Sequence, residues 1–279
     1  MNRSTVEPEY QEQFTLFIDL LGFKEAIEQA APKIEQIKEF LRKLAKLCGP
    51  YELEIGGESI SFRPAVSTFS DCIVCSYPFQ TTVGRFRRAE GVALLSVISQ
   101  IQSLISEFAA DALRLGLLLR GGIALGDLYH APPMKSDPEP HIIFGRGLID
   151  AHALESKCAI YPRIVVSPEI IRRIDITDLE LRGTGYLLKC DDGLWCINYF
   201  DKLANYAGCE ARYSPTTGDK VSILLWRKHV LELARRNIRK FESGENQAAE
   251  KYAKWSWFKK QFCDAIERAN RHRGETSQA

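Results

Sequence analysis

Two aspartates stand where buried strands should carry none. Asp19 closes the apolar run TLFIDLLGF (15–23), and Asp71 sits inside STFSDCIVCSY (67–77). Two carboxylates raised on neighbouring strands can hold two hard cations, and such a pair can run phosphoryl chemistry on a nucleotide. Asp19 is followed by LLGFKEA, a glycine-containing turn into a helix. Backbone N–H groups at a helix start can receive phosphate oxygens, helped by the helix dipole. One segment therefore offers a metal ligand beside a phosphate cradle. Each acid also has a plainer role, Asp19 as a helix N-cap and Asp71 as a hairpin-turn residue. A metal pair accounts for both only if the strands bring them together.

The elements that must do so follow from periodicity. Residues 14–18 read as a short buried strand. Phe23, Ile27, Ile34, Ile37, Leu41, Leu44 and Leu47 then recur at helical intervals, with Pro32 breaking or kinking the run. CGPYELEIGGES (48–59) carries turn signals. SISFRPAVSTF (59–69) and CIVCSYPF (72–79) read as a hairpin about a tight turn at Ser70–Asp71. Leu94, Leu95, Ile98, Ile101, Ile105 and Phe108 line one face of a helix over 88–114. Leu115–His130 is the next strand, with glycines that suggest a bulge or bend. A proline-rich loop spans 131–140. A short strand, HIIFG, leads into a helix with a glycine-rich entry, then a strand at PRIVVSP and a short helix over 168–174. YLLKCDDGLWCINYF (186–200) reads as a hairpin, and 215–271 as two long helices divided at Gly244.

The opening order β-α-β-β-α-β is the ferredoxin-like arrangement, an antiparallel sheet with helices on one face. It places the end of the first strand beside the turn between the second and third, which is where Asp19 and Asp71 fall. The fold class expected is therefore α+β, a ferredoxin-like core over 14–200 with a helical extension over 214–273.

Composition bounds the partners. The chain has 279 residues, 45% of them hydrophobic, and a formal net charge of +1. That charge gives no bulk electrostatic case for nucleic acid or a membrane surface. The polar, acidic start does not read as a signal peptide, and runs such as LGLLL are too short to span a bilayer. A soluble, cytoplasmic protein is expected. The eight cysteines show no disulfide framework. Cys72 and Cys75 form a C-x-x-C inside a β-like run, with no second pair at ligand spacing, so buried thiols rather than zinc are expected. The C-terminal helices are basic in places, and a solvated face explains this. Trp255 and Trp257 are expected to pack against the core or a dimer mate.

At this point the chain resembles a family. FIDLLGF (17–23) is similar to the F-x-D-[IL]-x-G-F signature of class III nucleotidyl cyclases. FSDCIV (69–74) falls where that family has its second metal aspartate. LRGGIALGDLY (119–129) and IFGRGLIDAHALES (143–156) resemble its R-x-G-I-x-x-G strand and following helix. The resemblance implies two Mg²⁺ or Mn²⁺ ions held by Asp19, Ile18 and Asp71, Ile18 having only its backbone carbonyl to offer. It implies triphosphate contacts at Leu21, Gly22 and Phe23, and attack of a ribose 3′-oxygen on the α-phosphate to give a 3′,5′-cyclic nucleotide and pyrophosphate. Where purine cyclases carry a base-reading lysine and aspartate, this chain has Ser67 and Ile142. The Asn and Arg that steady the transition state in typical members fall at Ile149 and Ala153.

Two readings stay open. One is a degenerate homologue that binds nucleotides or dimerises without chemistry. The other is the divergent bacterial branch that makes cyclic pyrimidine nucleotides for antiphage signalling, the Pycsar cyclases. FIDLLGFK, FSDCIV, LRGGIALG, YPRIVVS and the late KYAKWSWFKKQF resemble that branch. This resemblance implies a homodimer with composite sites between subunits, UTP as substrate with CTP as the alternative, and a product that activates a separate effector.

Positive charge is still needed on the developing pentavalent phosphate. Arg120 begins RGG inside an apolar strand, and Arg163 starts PRIVV similarly close to a strand. Both are taken as catalytic cations. Arg146 at the glycine-rich helix entry is a phosphate candidate, as is Lys189, which occupies about the place where the family carries a phosphate-binding lysine. Each also has the simpler reading of an ion pair or snorkelling side chain. Ser67, Phe69 and Ile142 are the nucleobase candidates, Ser67 to hydrogen-bond a small base and Phe69 to stack on it. His141 and His152 lie within reach of the same region in this reading.

Overall fold

Pairing begins at β1 (Gln11–Leu21), which is buried on both faces over Gln13–Ile18. Phe14, Leu16, Ile18 and Leu20 are wholly buried on one face, while Gln13, Thr15, Phe17 and Asp19 share the other. The computed structural model describes residues 10–28, 34–47, 51–55, 58–62, 64–78, 87–131, 142–206, 217–242 and 246–275. After β1 come α1 (Phe23–Glu28) and α2 (Ile34–Leu47), the two pieces expected about Pro32, which itself lies outside the described residues.

The expected single strand over 59–69 is instead two strands in two sheets. β2 (Tyr51–Ile55) and β3 (Glu58–Phe62) form their own antiparallel pair. β4 (Ala65–Phe69) pairs with β5 (Cys72–Pro78) in the main sheet. Pro64 stands at the break, and a proline has no N–H to continue a ladder.

Next come α3 (Arg87–Arg114), β6 (Leu118–Ala131), β7 (Ile142–Gly145), α4 (Arg146–Lys157), β8 (Ile164–Val166) and α5 (Pro168–Ile174). The proline-rich 132–140 loop lies outside the described residues. Two short helices that periodicity does not announce follow, α6 (Asp178–Gly183) and, after the strands β9 (Leu187–Lys189) and β10 (Trp195–Ile197), α7 (Tyr199–Ala204). α8 (Thr217–Phe241) and α9 (Asn246–Glu275) are the two long C-terminal helices. The main sheet has eight strands in the order β4-β5-β1-β6-β8-β10-β9, with β7 pairing β6 off that path. Its β4-β5-β1-β6 portion is the ferredoxin-like strand order. The resolved pairings are antiparallel except β6 with β8, which is parallel. The α+β class and the mostly antiparallel sheet are as expected.

α4 lies directly on the Asp19 face. Phe17, Val74, Ala124 and Ala151 form a buried cluster there. The approach requires glycine at Gly122, because a Cβ would stand 2.3 Å from the carbonyl oxygen of Ala151 and 2.6 Å from the Leu154 Cβ. The RGG segment is therefore a landing site for a helix, and β6 runs through it as one strand rather than breaking at a bulge.

The chain divides into two compact units, one of residues 1–101 and 119–197, the other of 102–118 and 198–279. The expected extension at 214–273 is thus part of a unit that also takes in the C-terminal half of α3. Within it, Gln102 Nε2 donates to Asn198 O at 2.6 Å, and the Arg114 guanidinium lies over the Tyr206 and Trp226 rings. Trp255, Phe258 and Phe262 are buried in the same unit. One helix among the described residues, Gly91–Arg114, is long and apolar enough to cross a membrane, and 61% of its apolar window is buried inside the protein.

Candidate active site

Asp19 and Asp71 meet because the β4–β5 turn closes against the end of β1. Asp19 lies opposite Cys72 in the β1–β5 ladder, and the Leu20 N–H donates to the Asp71 carbonyl at 3.0 Å. Ser70 holds φ at 57°, a left-handed conformation uncommon for a side chain of its kind, and so turns the chain within two residues. Asp19, Asp71 and Cys72 each present a ligand atom, all within 4.8 Å of one another.

The donor set fits a hard divalent cation. Burial first, then the charges of Asp71 and Asp19, push the Cys72 thiol up to about 11. At neutral pH that sulfur is a neutral neighbour, and the ligands are carboxylate oxygens, the chemistry of Mg²⁺ or Mn²⁺ rather than zinc. Cys75 is fully buried and, two pairs further along β5 plus one, faces away from Cys72, so the C-x-x-C makes no chelate.

Arg120 reaches this site from β6. Its Nη2 and Nε donate to Asp19 Oδ2 at 2.8 and 3.2 Å. Its Nε also lies 2.6 Å from Oε1 of Glu155, whose side chain is only 5% exposed. Glu155 is absent from the sequence reading. The signal was the spacing Gly147, Ala151, Glu155, one buried stripe along α4 that ends in an acid. A buried acid on a helix is thus paired in charge with a partly exposed cation on the strand beneath it. Two carboxylates, Asp19 and Glu155, contact the one guanidinium, and Asp71 stands beside Asp19, which leaves the site with an excess of acids over cations.

The remaining candidates are dispersed within one chain. Ile18 is buried and paired with Ile73. Leu21 ends β1, and Gly22 (φ 90°) turns the chain into α1 at Phe23, where the Ala26 N–H donates to Gly22 O. The first N–H groups of such a turn have no acceptor within the helix. Phe69 is exposed and shares the sheet face of Asp19 and Cys72. Ser67, on the same face, is buried, its Oγ 2.5 Å from His130 Nε2, with Ser76 Oγ 2.8 Å from the other ring nitrogen. Ile142 pairs with Ala131 at the far end of β6, roughly 35 Å from Arg120 by strand rise. Arg146 is exposed and bonds Asp150 one turn on at 2.7 Å.

Arg163 is buried before β8 and donates to the Cys158 carbonyl at 2.7 Å and to the Asp192 carboxylate. Lys189 is exposed on the edge strand β9, 5.5 Å above the Trp195 ring and four strands from β1. The His152 ring stands edge-on to Phe17 at 5.0 Å. His141 lies outside the described residues. Ile149 is exposed on α4. One chain therefore assembles Asp19, Asp71, Cys72, Arg120 and Glu155, and leaves Arg163, Lys189 and Ile142 elsewhere.

No protein-family profile matches the chain, and no curated protein matches it. Among solved structures it is similar to the adenylyl cyclase CyaB from P. aeruginosa, at 14% identity and TM-score 0.42, over 69% of this chain and 96% of that one. It is similar to the guanylyl cyclase Cya2 at 14% identity and TM-score 0.38, over 69% and 94%. It is also similar to a class III adenylyl cyclase-like ATP-binding protein from Pseudomonas aeruginosa, at 13% identity and TM-score 0.38, over 60% of this chain and 36% of that one. Likeness this low in identity and overlap carries no inference about activity, which rests on the site's own chemistry.

Proposed function

We propose that the chain is a class III-type nucleotidyl cyclase that takes a pyrimidine triphosphate, UTP first and CTP as the alternative. The observation that carries this reading is the convergence of Asp19 and Asp71, from β1 and the β4–β5 turn, within ligand distance of each other and beside Arg120. Divalent cations held there supply the acidity needed by a ribose 3′-hydroxyl and neutralise the triphosphate. Asp19 and Asp71 would hold these ions through their carboxylate oxygens. The turn at Leu21–Phe23 offers backbone N–H groups to phosphate oxygens. Arg120, which bonds Asp19 and pairs with Glu155, would donate to the α-phosphate as its charge grows, with Glu155 orienting the guanidinium. The bond from the ribose 3′-oxygen to the α-phosphorus forms as the α–β phosphoanhydride bond breaks, pyrophosphate leaves, and the hydroxyl proton passes to solvent.

Lys189 stands four strands from β1, and the Arg163 side chain is held by Asp192 and the Cys158 carbonyl, so neither serves the same chain's Asp19. A homodimer with composite sites, Lys189 coming from a second copy, is part of the proposal. The pyrimidine preference rests on the sequence resemblance, in which Ser67 and Ile142 fall at the positions of the purine-reading lysine and aspartate. The remaining parts of the proposal are a cytoplasmic location, a catalytic domain over 14–200 with a helical extension over 214–273, and a product that acts on a separate effector in antiphage defence.

A second reading has its own observation. Arg120 already occupies Asp19 Oδ2, as in a sensor that binds nucleotide without turnover. One experiment separates the two: incubate the protein with each nucleoside triphosphate and Mn²⁺ and follow cyclic product and pyrophosphate. Cyclic UMP or cyclic CMP with stoichiometric pyrophosphate is expected, and nucleotide binding with neither product selects the sensor.

A further inference from the structure

The β9–β10 hairpin brings two thiols together outside the carboxylate site. Cys190 Sγ and Cys196 Sγ are 2.9 Å apart, and closing to a bond needs an approach of about 0.9 Å. Cys196 lies opposite Leu188 in the ladder, and Cys190 pairs through its backbone with Leu194, so the two sulfurs are diagonal neighbours on one face. Cys190 is half-buried and Cys196 is 3% exposed. Beside them the Arg163 guanidinium, buried and anchored by Asp192 and the Cys158 carbonyl, supplies a fixed positive charge that favours the Cys190 thiolate. Ala159 and Val165 close the apolar side of the cluster, with Cys158 packed against it.

We propose that Cys190 and Cys196 are a peroxide-oxidised dithiol, Cys190 the attacking sulfur and Cys196 the resolving one. The geometry assigns the order. Cys190 is the partly exposed member and Cys196 the buried one, so the Cys190 thiolate is the reachable one, with the Arg163 charge beside it. The hydrogen bond from Cys196, reinforced by Arg163, holds the Cys190 thiol below the ordinary thiol range against the opposing effect of burial. The same hydrogen bond and burial raise the Cys196 thiol, which keeps its proton until the second step.

In the first step the Cys190 thiolate attacks a hydroperoxide oxygen. The S–O bond forms, the O–O bond breaks, and hydroxide departs to leave a sulfenic acid. In the second step Cys196 sulfur attacks that sulfenyl sulfur. The S–S bond forms, the S–O bond breaks, and the departing hydroxide takes the Cys196 proton as water. Two thiols are oxidised by two electrons, and hydrogen peroxide is reduced to two waters. The bond would staple the hairpin that carries Lys189, and it stands on its own geometry whether or not the chain cyclises nucleotides.

The test uses the full-length reduced protein at neutral pH. Hydrogen peroxide is added in modest excess, remaining thiols are alkylated, and digested peptides are mapped by mass. A dithiothreitol-reversible crosslink between the Cys190 and Cys196 peptides is expected, formed ahead of oxidation at Cys72 or Cys263. Cys196→Ser should trap Cys190 as a dimedone-reactive sulfenic acid, and Cys190→Ser should leave Cys196 unoxidised. In the wild type, Cys190 alkylation should reach half its maximal rate below the ordinary thiol midpoint of about 8.5. Full alkylation of both cysteines after peroxide, or a crosslink from either of them to Cys158 instead, overturns the assignment. So does a sulfenic acid that appears on Cys196 first.

Discussion

Arg120 is the residue through which metal binding and catalysis can be pulled apart. Its guanidinium occupies Asp19 Oδ2 at 2.8 Å, so an ion bound to Asp19 must lie close to a positive charge. A divalent ion at about 5 Å from a unit charge is repelled by about 7 kcal/mol at an effective dielectric of about 20. The side chains of Arg120 and Asp19 are 24% and 16% exposed, and Glu155 partly neutralises the guanidinium, so the felt penalty is smaller. Discounted about threefold for solvent screening and that neutralisation, it is about 2 kcal/mol, or about 30-fold in metal affinity.

Arg120→Met alone would strand Glu155 as a buried charge, at a cost of about 3–5 kcal/mol to the fold. The informative variant is therefore Arg120→Met with Glu155→Gln. Mn²⁺ titration by calorimetry or by electron paramagnetic resonance, without nucleotide, should show ion binding tightened about 30-fold. Cyclisation by the same variant should fall by about 100-fold or more, as expected when a transition-state donor is lost. If a folded double variant binds Mn²⁺ no better than the wild type, Arg120 does not compete for Asp19 and the reasoning fails.

Other consequences are as direct. Gly122→Ala should destabilise the protein by about 1–3 kcal/mol, read as a fall in Tm, because the new Cβ meets the Ala151 carbonyl at 2.3 Å. An unchanged Tm would mean that α4 does not rest on β6. Arg163 holds the Asp192 carboxyl below the ordinary aspartate value of 3.8, so that bond stabilises the fold above this pH and is lost as pH falls through the depressed folded value. Asp192→Asn should accordingly lower stability at neutral pH by no more than about 1 kcal/mol, the Asp192 side chain being 44% exposed, and the two proteins should converge in acid. A gap that persists or widens in acid contradicts this sign. UTP or CTP should outcompete ATP as substrate, a preference that Ser67 and Ile142 motivate. Faster cyclisation of ATP would refute it.

The pattern that predicts the strand order is the same one that predicts the site. Alternation along 11–21 and the polar turn at 70–71 are local signals, and they suffice to place Asp19 beside Asp71. The helix at 168–174 is legible because Ser167 caps it and proline starts it. The β2–β3 hairpin is masked in the sequence by Gly56, Gly57 and Pro50, which carry turn signals. The alternation of Tyr51, Leu53 and Ile55 with Glu52 and Glu54 pointed to a strand all the same. α6 carries a complete capping box, Thr177 with Glu180, but is too short for periodicity to show.

Glu155 and His130 escaped for a different reason. Each makes sense only with a partner from a distant element, Arg120 for one and Ser67 and Ser76 for the other. The Arg163–Asp192 contact likewise joins a strand start to a hairpin tip that no local pattern relates. Burial of charge is visible in a sequence as an anomaly, and its resolution is visible only in the fold.

The central claim is that Asp19 and Asp71 together hold the divalent ions on which nucleotide cyclisation depends. Its most direct measurement is Mn²⁺-dependent turnover of UTP and CTP by the wild type, by Asp19→Ala and by Asp71→Ala, with folding checked by circular dichroism. The account predicts cyclic product and pyrophosphate from the wild type and none from either folded variant. Full activity in either variant would contradict it.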